Sequence, residues 1–227
     1  MPATTSPAFA AVLGVVMVAL TYGRVTGRVV SQVVTLVHEL GHATVGLLVG
    51  GRVRRVSVSL DASGETLTLI GGRYPRVRLT AFTLAGYPAP AVVGLLAAFA
   101  VTTEDHRLLL LLAAVLVGVA LVLWVRNAWG ITLFLVTAAA LWLVATEGSD
   151  GVTRSVTIAF AWVFSLGALR SAWQLTGGAR TSGRVLDDAE RVAQLVRVVP
   201  RAAVTAGFVA VAAACVVGVA ALLLRPA

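Results

Sequence analysis

The sequence predicts an all-α multi-pass membrane protein of about seven transmembrane helices with a small cytoplasmic β-hairpin. Composition, charge spacing and one alternating segment predict it. Of 227 residues, 59% are hydrophobic and 12% charged, whereas a soluble domain carries about 25% charged residues. Mean hydropathy is +0.94. The apolar residues fall in runs close to the roughly 20 residues that cross a bilayer core, and most charges fall between the runs. This excludes a water-soluble enzyme and a disordered chain. An aromatic content of 7% and the lack of a series of alternating segments about 10 residues long argue against a β-barrel. Residues 1–227 read as a single integral membrane domain.

The runs place spans at 7–23, 29–50, 79–101, 108–125, 128–146, 152–173 and 202–224. The first has no basic leader and more runs follow it, so it reads as a retained span and not a signal peptide. Gly86, Pro88 and Pro90 interrupt the third. Arg126 and Asn127 divide what would otherwise be one helix too long for a membrane, and Trp124 and Trp129 flank the division as aromatic residues do at interfaces. Cys215, in the last run, is the only cysteine. An internal disulfide and a cysteine zinc site are thereby excluded.

Two connecting segments are long. In 51–77, β-branched residues alternate on both sides of Asp61-Ala62-Ser63-Gly64, the pattern of a β-hairpin. In 174–201, Val185, Val192, Leu195, Val196 and Val199 recur at helical spacing among Arg and acidic residues. That is an amphipathic cytoplasmic segment lying in the interface, with Pro200 as its stop.

Net charge is +8, and all 18 basic residues are Arg. They mark orientation in a membrane and not a nucleic-acid partner. With alternating spans, one side receives Arg52, Arg54, Arg55, Arg73, Arg76, Arg78, Arg126, Arg180, Arg184, Arg191, Arg197 and Arg201. The other receives Arg24, Arg28, Arg107, Arg154 and Arg225, with Glu104, Asp105, Glu147 and Asp150. The Arg-rich side is cytoplasmic, which puts the N-terminus inside and the C-terminus outside a cell membrane. The bilayer itself is the one partner that composition implies.

The chemistry concentrates in His38-Glu39-Leu40-Gly41-His42. Histidines four apart share one helical face, so both imidazoles can bind one metal ion. Glu39 is placed to act as general base toward the attacking water. The motif lies within an apolar run, where ionisable residues are costly and usually functional. A buried polar cluster that only holds helices together is the bland alternative. His106, in a Glu-Asp-His-Arg segment, reads as a solvated loop residue.

With that motif in an apolar helix, then a Gly-containing turn and a hairpin, the chain resembles the site-2 protease family of intramembrane zinc metalloproteases. It is most similar to the small bacterial, peptidase-M-fifty-B-like branch. The resemblance is good over 31–70 and continues at Ala85-Gly86-Tyr87-Pro88-Ala89-Pro90. It is looser at Arg126-Asn127-Ala128-Trp129-Gly130 and at Leu186-Asp187-Asp188-Ala189. It implies zinc as cofactor, Glu39 as catalytic base, and a membrane-spanning helix of another protein as substrate. In resembling proteases, strands near this hairpin can pair with an unwound substrate. A non-proteolytic member that binds membrane helices or metal is the alternative, and a transporter is a more distant one.

A catalytic zinc takes three protein ligands and keeps one position open. His38 and His42 supply two. The Leu-Asp-Gly motif that carries the third in the wider family is absent here. The position that matches by order is Asn127, a poor ligand because it is neutral. Asp188 is the acidic candidate, with Asp187 beside it and Asp150 more remote. Asp188 also precedes the amphipathic helix, where an N-cap role would account for it.

Overall fold

Ser6 starts the first helix by accepting the Phe9 N–H at 3.2 Å. Pro7 follows in the first turn, where its missing N–H costs nothing. The computed structural model describes residues 6–177 and 186–225. Its elements are α1 (Pro7–Tyr22), α2 (Thr26–Leu48), β1 (Arg52–Val58), β2 (Gly64–Leu69), α3 (Pro75–Leu84), α4 (Pro88–Thr102), α5 (His106–Trp124), α6 (Ala128–Glu147), α7 (Asp150–Gln174), α8 (Asp188–Val196) and α9 (Arg201–Leu223).

Four helices, α5, α6, α7 and α9, are each long and apolar enough to cross a membrane. The number reaches six if α1 with α2, and α3 with α4, each form one bent span. The expected seven is not reached, because 7–23 and 29–50 are the two arms of a pair bent by 95°. Arg170 holds the corner by donating to the carbonyls of Thr21 and Gly27 on either side of it. The run 79–101 is split into α3 and α4, bent by 56° at the Gly86-Pro88 break that the sequence predicts.

The bend changes the parity of the chain. Trp162 donates to the Ala10 carbonyl at 3.1 Å and Arg170 donates to Thr21, so α1 runs in the same direction as α7. Arg201, which opens α9, donates to the Leu175 carbonyl just past the end of α7 at 3.2 Å, so α9 runs back. Both termini therefore lie toward the end where α7 begins, not at opposite ends as expected. The corner also moves Arg24 and Arg28 to the Arg-rich end, which sharpens the asymmetry. At the opposite end His106 is 3% exposed and lies 3.0 Å from an Asp150 oxygen. It opens α5 and is not a solvated loop residue.

The hairpin is antiparallel, with Arg52 opposite Leu69 and Val58 opposite Gly64, and one register shift between Val53 and Arg55. The Asp61 carboxylate fixes the turn by accepting from the Ser63 N–H at 3.0 Å and hydroxyl at 2.7 Å. Val53, Val56 and Val58 are buried with Leu36 and Ala43 of α2, Leu110 of α5 and Phe134 of α6. Gln32 donates to the Leu60 carbonyl at 2.7 Å and Thr35 to that of Ala62 at 2.9 Å. The hairpin thus lies along α2 instead of hanging free. A second core joins α1, α4, α7 and α9, and Cys215 is buried among Ala91, Ala168 and Ala212.

The amphipathic segment forms α8, with Ala189 and Val192 packed on Ala172, Leu175, Val204 and Phe208. It ends at Val196 with Arg197 in a left-handed conformation. Pro200 caps α9 and does not end α8. Val185, Arg180 and Arg184 fall outside the described residues.

Candidate active site

Helix α2 carries His38, Glu39 and His42 on consecutive turns, and the imidazoles converge as their spacing predicts. The two Nε2 atoms are 3.1 Å apart. One Asp188 oxygen lies 3.2 Å from His38 Nε2 and 3.0 Å from His42 Nε2. These three are the His, Cys, Asp or Glu residues among the described ones that gather ligand atoms in this way.

Asp188 reaches the pair because its neighbour caps the helix. An Asp187 oxygen accepts the Glu190 N–H at 2.8 Å, and the other pairs with Arg201 at 2.7 Å. Asp188, one residue on, is left free of capping and turns toward α2. Burial pushes its carboxyl up, whereas imidazoles that face it in their protonated form pull it below the ordinary carboxylate range. Asn127 is engaged elsewhere: its amide donates to the Val58 carbonyl at 2.6 Å, which ties the start of α6 to the hairpin. Asp150 faces His106.

The donor set fits zinc. His42 Nδ1 lies 2.8 Å from the Phe82 carbonyl. A carbonyl only accepts, so Nδ1 carries the proton and Nε2 presents its lone pair. Phe82 lies in the last turn of α3; its carbonyl accepts the Ala85 N–H at 3.2 Å and has a second lone pair for the His42 ring. Two imidazole nitrogens and one carboxylate oxygen make a three-ligand catalytic set, and tetrahedral zinc at about 2.0–2.1 Å separates its ligands by roughly 3.3 Å.

The break also shapes the space in front of the imidazoles. A Cβ on Gly86 would collide with the Nε2 atoms of both His38 and His42. Gly41 has the same need within the motif, since a Cβ there would strike Ala89 and the Ala85 carbonyl. Gly86→Ala is expected to weaken zinc binding by about 10–100-fold, as loss of supporting residues around a metal does. Zinc competition against a chromophoric chelator measures this, and unchanged affinity would refute the steric reading.

Glu39 is 4% exposed, and its Oε2 accepts from the Thr66 hydroxyl at 2.6 Å. Thr66 lies on β2, so the hairpin delivers the group that aims the acid. Tyr87 sets its ring 4.8 Å from His38, edge-on, and stacks on Phe208 at 4.9 Å. Nothing in the sequence assigns a role to Thr66, Phe82 or Tyr87. Strand alternation does not say which face of the hairpin meets α2, and no periodicity marks a carbonyl as a partner.

A search of curated proteins and one of solved structures returned no significant match. A family model described as Peptidase M50B-like matches residues 8–219. That span takes in His38, Glu39, His42 and Asp188, and the M50 peptidases are zinc metalloproteases that act within membranes. The chain belongs to the Peptidase M50B-like family.

Proposed function

We propose that this protein is a zinc-dependent intramembrane endopeptidase that hydrolyses peptide bonds of membrane-spanning substrates. The observation that carries the reading is the meeting of His38, His42 and Asp188 within 3.0–3.2 Å of one another, beside Glu39. His38 and His42 would hold zinc through Nε2, and Asp188 through a carboxylate oxygen. Zinc supplies Lewis acidity, which polarises the scissile carbonyl and acidifies water. Glu39 takes the proton of the attacking water at its carboxylate and returns it to the leaving amine nitrogen. Thr66 holds that carboxylate in place through the first transfer. The C–N bond breaks, and one water is consumed for each amine and carboxylate formed.

A helical substrate hides its peptide groups in its own hydrogen bonds, so it has to unwind before attack. Strand β2 offers the alternative partner: within the described residues its outer edge is unpaired, and Thr66 on that strand touches Glu39. A peptide added along this edge would gain backbone hydrogen bonds and pass beside the acid. Thr66→Val is expected to lower cleavage about tenfold with zinc retained, since a hydrogen bond to a charged group is lost. Thr66→Ser should restore most of the rate. A Thr66→Val enzyme as fast as wild type would remove Thr66 from the account.

The reading is tested in proteoliposomes with a helix-destabilised membrane substrate. Cleavage should cease on treatment with a zinc chelator and return on adding zinc. Cleavage that persists in the chelated protein would sink the proposal.

For topology, we infer that the hairpin and α8 face the cytoplasm and that both termini face outward. The support is the Arg asymmetry together with the shared direction of α1 and α7. Reporters fused after Arg73 should read cytoplasmic. Reporters at the N-terminus, after Asp150 and after Arg225 should read external. An N-terminal reporter on the cytoplasmic side would restore the odd span count.

A further inference from the structure

We propose that the groove between α3 and α8 binds the phosphate headgroup of an anionic glycerophospholipid. The groove encloses about 400 Å³ and is lined by Arg76, Leu79 and Phe82 on one side and by Arg191, Leu195 and Arg197 on the other. The two helices pack against each other, so the cations of both meet across one cleft.

Among the described residues none of the three guanidinium groups makes an ion pair or a side-chain hydrogen bond. The aspartates that open α8 are committed elsewhere, Asp187 to Arg201 and Asp188 to the imidazoles. A guanidinium has only donors, set in a planar fork that matches phosphate oxygens. Three of them around one cleft call for an anion with several acceptor oxygens.

The other half of the lining selects a lipid over a soluble anion. Leu79, Phe82 and Leu195 give apolar surface beside the cations. Helix α8 packs its apolar face on the first turns of α9, the level at which the chain passes from polar segment to apolar helix. That is headgroup depth, where basic residues meet anionic lipid. The position has a consequence for the metal set. Phe82 on α3 orients His42, and α8 carries Asp188. A headgroup gripped by Arg76 on one side and by Arg191 and Arg197 on the other ties together the element that orients one ligand and the element that supplies another. This goes beyond the protease reading and does not depend on it.

Native mass spectrometry of the detergent-purified full chain tests the proposal, with dioleoyl phosphatidylglycerol and dioleoyl phosphatidylcholine titrated separately. Phosphatidylglycerol should bind about tenfold or more tighter, and the combined Arg76→Gln, Arg191→Gln and Arg197→Gln variant should lose that preference. A control of equal charge loss, Arg24→Gln with Arg28→Gln and Arg54→Gln, should keep it within about twofold. All six are exposed side chains, and the control triple reports any general damage. Equal binding of the two lipids would overturn the proposal, as would an equal loss in both triple variants. Displacement of the lipid by inorganic phosphate would convert the groove to a free-phosphate site. Displacement by a polyglutamate peptide would convert it to a docking site for acidic chain. The readout is lipid mass and not cleavage, so failure here leaves the protease reading standing, and the reverse holds as well.

Discussion

Glu39→Gln is expected to reduce cleavage by about 10²–10⁴-fold, the range of general-base assistance, while zinc content stays at the wild-type level. Two features of the site separate these effects. The residues that gather possible ligand atoms are His38, His42 and Asp188, so on the proposed reading the acid can be removed without touching a ligand. Gln is nearly isosteric with Glu, and the Thr66 hydroxyl can still donate to its carbonyl oxygen. Fold is preserved for the same reasons, since a buried carboxylate is exchanged for a neutral amide with a partner in place. A matched assay of substrate cleavage and elemental zinc reads both quantities. A variant that cleaves at the wild-type rate would show that Glu39 is not the base. One that loses its zinc would make Glu39 part of the metal set.

Asp188→Ala is expected to do more. On the proposed reading it removes the third ligand, so zinc should be lost and cleavage should fall below detection, whereas Asn127→Ala should keep zinc. The contrast follows from the two environments. Asp188 lies against both imidazoles. Asn127 donates to the Val58 carbonyl, so its loss loosens the hairpin and the start of α6 without altering the ligands. Asp188→Ala also leaves two imidazoles facing one another at 3.1 Å without the carboxylate that balances a cation between them. Asp187→Ala separates capping from ligation. It should lower thermal stability by about 1 kcal/mol, as loss of an N-cap does, and it should keep zinc as long as α8 forms. Zinc retained in Asp188→Ala and lost in Asn127→Ala would reverse the assignment.

The parts of this protein that were legible in the sequence are those decided over a few residues. His38 and His42 converge because the helix repeats every 3.6 residues, whatever packs around it. The hairpin turn at Asp61 is written in its own side chain, and the break at Gly86 and Pro88 is written in missing Cβ and N–H groups. What could not be read depends on distant partners. Asp188 is 146 positions from His42, and an Asp-Asp pair before an amphipathic helix does not say which member caps and which reaches out. The 95° corner between α1 and α2 is held by Arg170, a residue of α7. Hydropathy registers two apolar runs there and is blind to the angle between them. The difference in span count, and with it the placement of both termini toward one end of α7, comes from that corner.

The contact of Thr66 with Glu39 shows the same limit. Alternation predicted a strand, but the residue that aims the acid is fixed by how the hairpin lies along α2. Gln32 and Thr35 set that placement by holding the Leu60 and Ala62 carbonyls.

Zinc stoichiometry of the detergent-purified chain tests the central claim most directly. The account predicts about one zinc per chain in the wild type and near none in a His38→Ala, His42→Ala double variant, because a lone carboxylate is a poor zinc site. Zinc retained in full by the double variant, at the same stoichiometry as the wild type, would contradict it.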